Sequence, residues 1–227
     1  MNFLAEWFNP ILLIAALLVW IGILVLTAKS AFTTAAHNPI AVVVSAFSLT
    51  ALWYLNAGIG SGQLAGMSYH LIGINLVVLM LGAPAALWLG TLLLIPYIGF
   101  NGTGNLISLG LNALFLLLPA VSINILFRRI AARLPANLFI YIFLNGFLAA
   151  AAGMLLTGLC IVLLLETVGA FTHEILWTSA FPVFFLLSWG EAFLNGIFTA
   201  IFVALKPQWL VTFEDSRYLQ SHNQIWK

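Results

Sequence analysis

Apolar residues fall into seven long runs, separated by short polar or glycine-rich stretches. The runs cover residues 10–27, 39–57, 70–82, 84–99, 106–127, 137–165 and 177–205. A membrane-spanning helix needs ~20 mostly apolar residues, and the runs supply little else. The pattern therefore predicts an all-α, polytopic membrane bundle of about seven transmembrane helices. Pro10, Pro39 and Pro84 stand at run starts, where a missing N–H costs nothing. Pro119 and Pro182 fall inside runs and predict kinks. The third run is short. At ~1.5 Å per residue it covers about 20 Å, less than a ~30 Å hydrocarbon core. It reads either as a helix shielded by its neighbours or as part of a broken span or hairpin with the fourth run, across Gly82-Ala83-Pro84.

Composition strengthens this picture. The 227 residues are 63% hydrophobic and 6% charged, with a mean hydropathy of +1.14. A soluble domain carries roughly a quarter charged residues, so lipid must be the solvent here. Residues 1–205 read as a single transmembrane domain and 206–227 as a cytoplasmic interfacial tail. That tail interleaves Trp209, Leu210, Phe213 and Tyr218 with Glu214, Asp215 and Arg217. The first run follows a segment with Glu6 and no Lys or Arg, and is longer than a signal-peptide core, so it reads as a retained helix. No basic patch with interleaved aromatics is present, which excludes nucleic acid as a partner. The single cysteine, Cys160, excludes an internal disulfide.

Charge sets the expected direction. With seven crossings and the N-terminus outside, Lys29, Arg128, Arg129, Arg133, Lys206, Arg217 and Lys227 all lie on the cytoplasmic side. Six crossings would strand Lys29 outside. Glu6, His70, Glu166, His173 and Glu174 then face outward, on a side free of Lys and Arg that would attract cations.

Candidate chemistry is sparse. His70 follows Met67-Ser68-Tyr69 at the end of a loop containing Gly58, Gly60, Gly62 and Gly66. Imidazole suits nickel, cobalt, copper and zinc, and the Met67 thioether suits Cu(I). One histidine makes no site. Further donors on the same side are the amine of Met1, Asn2, Met67 and His173; the bland alternative for His70 is a helix-capping or interfacial residue. Glu191 is the only acid within a predicted span, where an ionisable group costs at least ~2.5 kcal/mol and is usually functional or paired. Asn75, Asn112, Asn124, Asn145 and Asn195 also lie within spans, where amides commonly join helices.

Several strings carry a family resemblance. A glycine-rich loop leads into Met67-Ser68-Tyr69-His70-Leu71, and Gly82-Ala83-Pro84 and Gly90-Thr91-Leu92-Leu93-Leu94 follow. Then come Asn101-Gly102-Thr103-Gly104, Leu109-Gly110-Leu111-Asn112-Ala113 and, in the last span, Asn195-Gly196-Ile197-Phe198-Thr199-Ala200. Over roughly residues 58–205 this resembles the substrate-binding membrane subunits of energy-coupling-factor transporters for nickel and cobalt, the CbiM/NikM family. The resemblance implies a permease of the bacterial inner membrane that captures a divalent metal from outside. It implies as partners a transmembrane coupling subunit and cytoplasmic ATPases. The metal site it implies uses a free N-terminal amine, a second-position histidine and the histidine of the glycine loop. His70 and the Met1 amine match; Asn2 stands in place of the second-position histidine. The loop 101–104 lacks the family's common histidine, and Asn195 occupies the place of its usual glutamate, with Glu191 one turn earlier.

The expected function is thus metal uptake, with His70, Met1, Asn2 and Met67 as candidate ligands and the metal as substrate rather than resident cofactor. No Gly-x-x-x-x-Gly-Lys-Ser/Thr occurs, so ATP hydrolysis falls to a partner. Two rivals stand beside this reading. One is a binding subunit for a vitamin-like organic solute, using Trp53, Tyr54, Tyr69 and the asparagines within the spans. The other is an intramembrane enzyme pairing Glu191 with His70, against which no familiar hydrolase motif is present.

Overall fold

A computed structural model describes residues 3–62, 64–100, 102–214 and 218. Its long helices are α1 (Pro10–His37), α2 (Pro39–Tyr54), α3 (Ile74–Phe100), α4 (Leu109–Ala131), α5 (Leu138–Thr167) and α6 (His173–Leu205). Five stretches, all but α2 and counting the short helical lead-in to α4, are long and apolar enough to cross a membrane. α2 is apolar but shorter. α1 continues to His37, well past the expected end near residue 27. The apolar run stops there, but the alanine-rich sequence that follows keeps helix propensity until Asn38-Pro39 ends it.

α3 is the unusual element. Gly82 lies in its middle with φ 76° and ψ 163°, a conformation that essentially only glycine adopts. The two arms, residues 74–81 and 83–100, fold back on each other. A Cβ on Gly90 would lie 3.3 Å from Ile74 Cδ1, although in a straight helix sixteen residues span about 24 Å. The first arm is buried on every side. It is the short hairpin partner that the third apolar run suggested. The bend belongs to Gly82 rather than Pro84, which sits in the first turn of the second arm, where its missing N–H is harmless.

α4 remains helical through Pro119. α5 and α6 are irregular instead at two π-helical segments, Tyr141–Leu148 and Leu176–Ala180, the second ending just before Pro182. Such widened turns free backbone carbonyls and are frequent at functional positions.

The ends of the bundle differ in chemistry. Loop 55–73 pairs two short strands, β1 (Ala57–Gly58) and β2 (Ser68–Tyr69), antiparallel, with Ala57 opposite Tyr69. Arg128 and Arg129 close α4 at the opposite end, where Lys206 follows α6. There the tail turns inward rather than lying flat. Leu210 and Phe213 are buried, and the N–H groups of Val211 and Thr212 donate to Met80 O (3.3 Å) and Leu79 O (3.2 Å). The bend at Gly82 leaves those carbonyls without helical partners, and the tail supplies them.

Candidate functional site

His70 lies just after β2, before the first arm of α3, and is 2% exposed. It is a packed residue beneath the glycine loop, not an open mouth. Its ring lies 5.8 Å from Trp53 and 5.3 Å from Tyr97, centroid to centroid, and its Nδ1 is 2.7 Å from Leu71 O.

Three fixtures hold the following residues. Trp53 Nε1 donates to Ile72 O at 2.9 Å. Gly73 takes φ 68°, and a Cβ there would stand 2.7 Å from Leu52 Cδ1. Glu191 reaches over from α6: Oε2 accepts from Ile72 N at 2.9 Å and Oε1 from Gly73 N at 2.7 Å. Asn195 Nδ2 adds a third donor to Oε1 at 3.1 Å. The carboxylate thus caps the start of α3, where unpaired N–H groups and the helix dipole favour negative charge. Hydrogen bonds to a charged group contribute about 1.5–3 kcal/mol each, so three of them offset the ~2.5 kcal/mol insertion cost.

Met67 is separated from His70 by the pleat of β2. Successive strand residues point to opposite faces, and Met67 Sδ accepts from Tyr69 OH at 3.6 Å on its own face. Burial pushes the Tyr69 phenol up to about 12, so it stays a donor at neutral pH. Met67 and Ser68 line a cavity of about 20 Å³ with Phe3, Trp7, Asn112 and Phe184.

The beginning of the chain enters the bundle at this cavity. Phe3 is 4% exposed; its N–H donates to Asn112 Oδ1 at 2.8 Å, and its carbonyl accepts from Ser108 Oγ at 2.9 Å. Ala5 N donates to Asn105 Oδ1 at 2.9 Å. Asn112 can do this because Gly110 brings α4 against α1: a Cβ on Gly110 would fall 2.3 Å from Leu17 Cα. Met1 and Asn2, named as ligands from sequence, lie outside the described residues. His173 is 73% exposed and paired through Nδ1 with Glu166 at 2.5 Å. Among the described residues no three His, Cys, Asp or Glu side chains converge.

Sequence reasoning singled out His70 and Glu191 and paired them only as the acid and base of a rival enzyme; it missed that Glu191 holds the backbone after His70, because its partners there are backbone N–H groups. It also missed Trp53 and Tyr97 as the walls around His70, and Ser108, Asn112 and Asn105 as holders of the chain start. The string Leu109-Gly110-Leu111-Asn112 carried the only readable signal for the last group.

A family model described as "cobalt uptake substrate-specific transmembrane region" matches residues 3–209. No curated protein matches. Among solved structures, a truncated transition metal transporter shares the fold with a TM-score of 0.69 at 18% identity, covering 90% of this chain and 98% of its own. A second, described as a transition metal transporter, has a TM-score of 0.69 at 17% identity, covering 90% of this chain and 93% of its own.

Proposed function

The chain belongs to the family of cobalt-uptake substrate-specific transmembrane regions, a membrane component of metal uptake and not an enzyme, and we propose that it captures a nickel- or cobalt-like cation outside the cell. In this reading it crosses a bacterial inner membrane seven times, α3 contributing both of its arms. The N-terminus and His70 face outward; the arginines and the tail face the cytoplasm. Lys29, Arg128, Arg129, Arg133 and Lys206 then all lie inside, as insertion rules favour.

One observation carries the proposal: the start of the chain and the His70 loop are anchored at the same place. Phe3 shares a cavity with Met67 and Ser68, and it is pinned there by Asn112 and Ser108. His70 supplies imidazole, and the amine of Met1 with the backbone or side chain of Asn2 supplies the remaining donors. Neutral imidazole and amine nitrogens suit nickel and cobalt. Met67, held on the opposite strand face by Tyr69, is the weakest of the four candidates. Transport energy comes from a transmembrane coupling subunit and cytoplasmic ATPases, because the chain has no phosphate-binding loop.

The test is equilibrium binding of cobalt(II) and nickel(II) to purified protein with a free amino terminus. His70→Ala and a version extended by a tag should both lose binding. Full binding by both would overturn the site.

A further inference from the structure

The arginine end of the bundle holds a cavity of about 340 Å³ that the capture reading leaves unused. Arg128 and Arg129, in the last turn of α4, form one wall. Tyr141 and Asn145, on the π-helical segment of α5, form a second. Thr212 and Glu214 of the tail form a third. These walls are fixed to one another. Thr212 donates to Leu79 O through its N–H at 3.2 Å and through its hydroxyl at 2.9 Å. With that hydroxyl proton spent, Tyr141 O–H donates to Thr212 Oγ1 at 2.8 Å. Phe213 closes against the Tyr141 ring, centroids 5.0 Å apart. The cavity thus lies where α4, α5 and the tail that holds the Gly82 bend all meet.

Its arginines are the unspent part. Arg128 is half-buried, and among the described residues neither arginine side chain has a hydrogen-bond or ion-pair partner. The dipole of α4 favours cations at its end, yet their donors stay unmatched. Each guanidinium presents five N–H groups in a planar fork, the geometry that grips phosphate. Two arginines against Glu214 leave one positive charge on the described lining, which suits a singly charged phosphodiester. A water's share of liquid volume is ~30 Å³, so the space takes a group of many atoms rather than a lone ion. Position indicates the source. Lys206 and Trp209 follow α6 at this same end, and such cations and aromatics mark the level of lipid headgroups. We propose that the cavity seats the phosphodiester headgroup of an anionic phospholipid, as basic pockets between membrane helices do. The headgroup ties α4 and α5 to the tail and so braces the bend beneath the first arm of α3. This goes beyond the capture reading and needs no metal at His70.

Native mass spectrometry and thermal unfolding of the purified protein test it, with phosphatidylglycerol, phosphatidylcholine and inorganic phosphate as probes. The parent should retain one phosphatidylglycerol and melt higher with it. Phosphatidylcholine, whose choline cancels the phosphate charge, should bind about fivefold more weakly or worse. An arginine near an anionic headgroup is worth about fivefold, so the double variant Arg128→Gln, Arg129→Gln should lose roughly tenfold or more in phosphatidylglycerol affinity. Neither substitution breaks a bond among the described residues, so the lipid-free melting temperature should stay at the parent's. Arg133→Gln, exposed and outside the cavity lining, is the control and should keep the parent's affinity. An equal loss in Arg133→Gln, or equal retention of the two lipids, would overturn the site in favour of diffuse attraction. Inorganic phosphate that raises the melting temperature at the lipid's concentration would overturn the lipid assignment. No retained phosphatidylglycerol would overturn it too and leave the arginines to an acidic partner. Cobalt(II) binding is a separate readout: its absence in the parent would count against the capture reading alone.

Discussion

The Glu191 carboxylate meets the Gly73 N–H at 2.7 Å, three residues beyond His70. The last helix of the bundle thereby fixes the backbone that presents the imidazole. Glu191→Ala would orphan two backbone donors and one amide, a loss of about 3–5 kcal/mol for a buried charged partner. We expect a lower melting temperature and weaker cobalt(II) binding, read by thermal unfolding and calorimetry. Glu191→Gln keeps an acceptor and should fall between the two. A melting temperature equal to the parent's in the alanine variant would refute the clamp.

Trp53 acts on the same loop from the other side. Trp53→Phe keeps the ring but loses the 2.9 Å bond to Ile72 O, worth about 1 kcal/mol. Metal affinity should drop less than in Glu191→Ala. An equal or larger drop would mean that ring shape, not the hydrogen bond, matters.

Gly110 sets the contact between α1 and α4. Its hypothetical Cβ meets backbone, 2.3 Å from Leu17 Cα and 2.5 Å from Leu17 N, so no side-chain rotation relieves it. Gly110→Ala should cost about 1–3 kcal/mol or more and loosen the hold of Asn112 on Phe3. Gly22→Ala, with nothing within 4 Å, is the matched control and should be neutral. Equal stability of the two variants would show that the helices can part freely.

Tyr69 gives an alkaline signature. Its phenol is pushed from 10.0 up to about 12 by burial. In the unfolded chain it ionises first, so its contribution to stability is full below pH 10 and is lost as pH rises towards 12. Tyr69→Phe should flatten the fall in stability over that window. Identical alkaline unfolding curves would remove Tyr69 from the account.

The five stretches long and apolar enough to cross a membrane were legible because hydropathy measures what lipid demands. The hairpin at Gly82 was half legible: the short run and the Gly-Ala-Pro string suggested it, but the fold-back depends on contacts such as Ile74 with Gly90. The candidate site was less legible. His70 reads as an exposed loop end in sequence, yet it is enclosed by Trp53 and Tyr97, which come from two other helices. Met67 seemed its neighbour, but a two-residue strand hidden among glycines turns it to the opposite face. Asn75, Asn124 and Asn145 read separately as helix glue; only the fold shows them linked, Asn124 to Asn75 and Asn75 to the Asn145 carbonyl.

The first arm of α3 has one more consequence, for how the protein is made. At ~1.5 Å per residue, residues 74–81 extend about 12 Å, too little to enter a bilayer unaided. The N–H groups of Ile72 and Gly73, just before them, are covered by Glu191, and their trailing carbonyls by Val211 and Thr212, both encoded far downstream. During synthesis this piece must wait, sheltered only by earlier helices, until nearly the whole polypeptide has emerged. The His70 loop is thus among the last parts to settle, and truncation of the C-terminal end should be felt at the opposite end of the bundle.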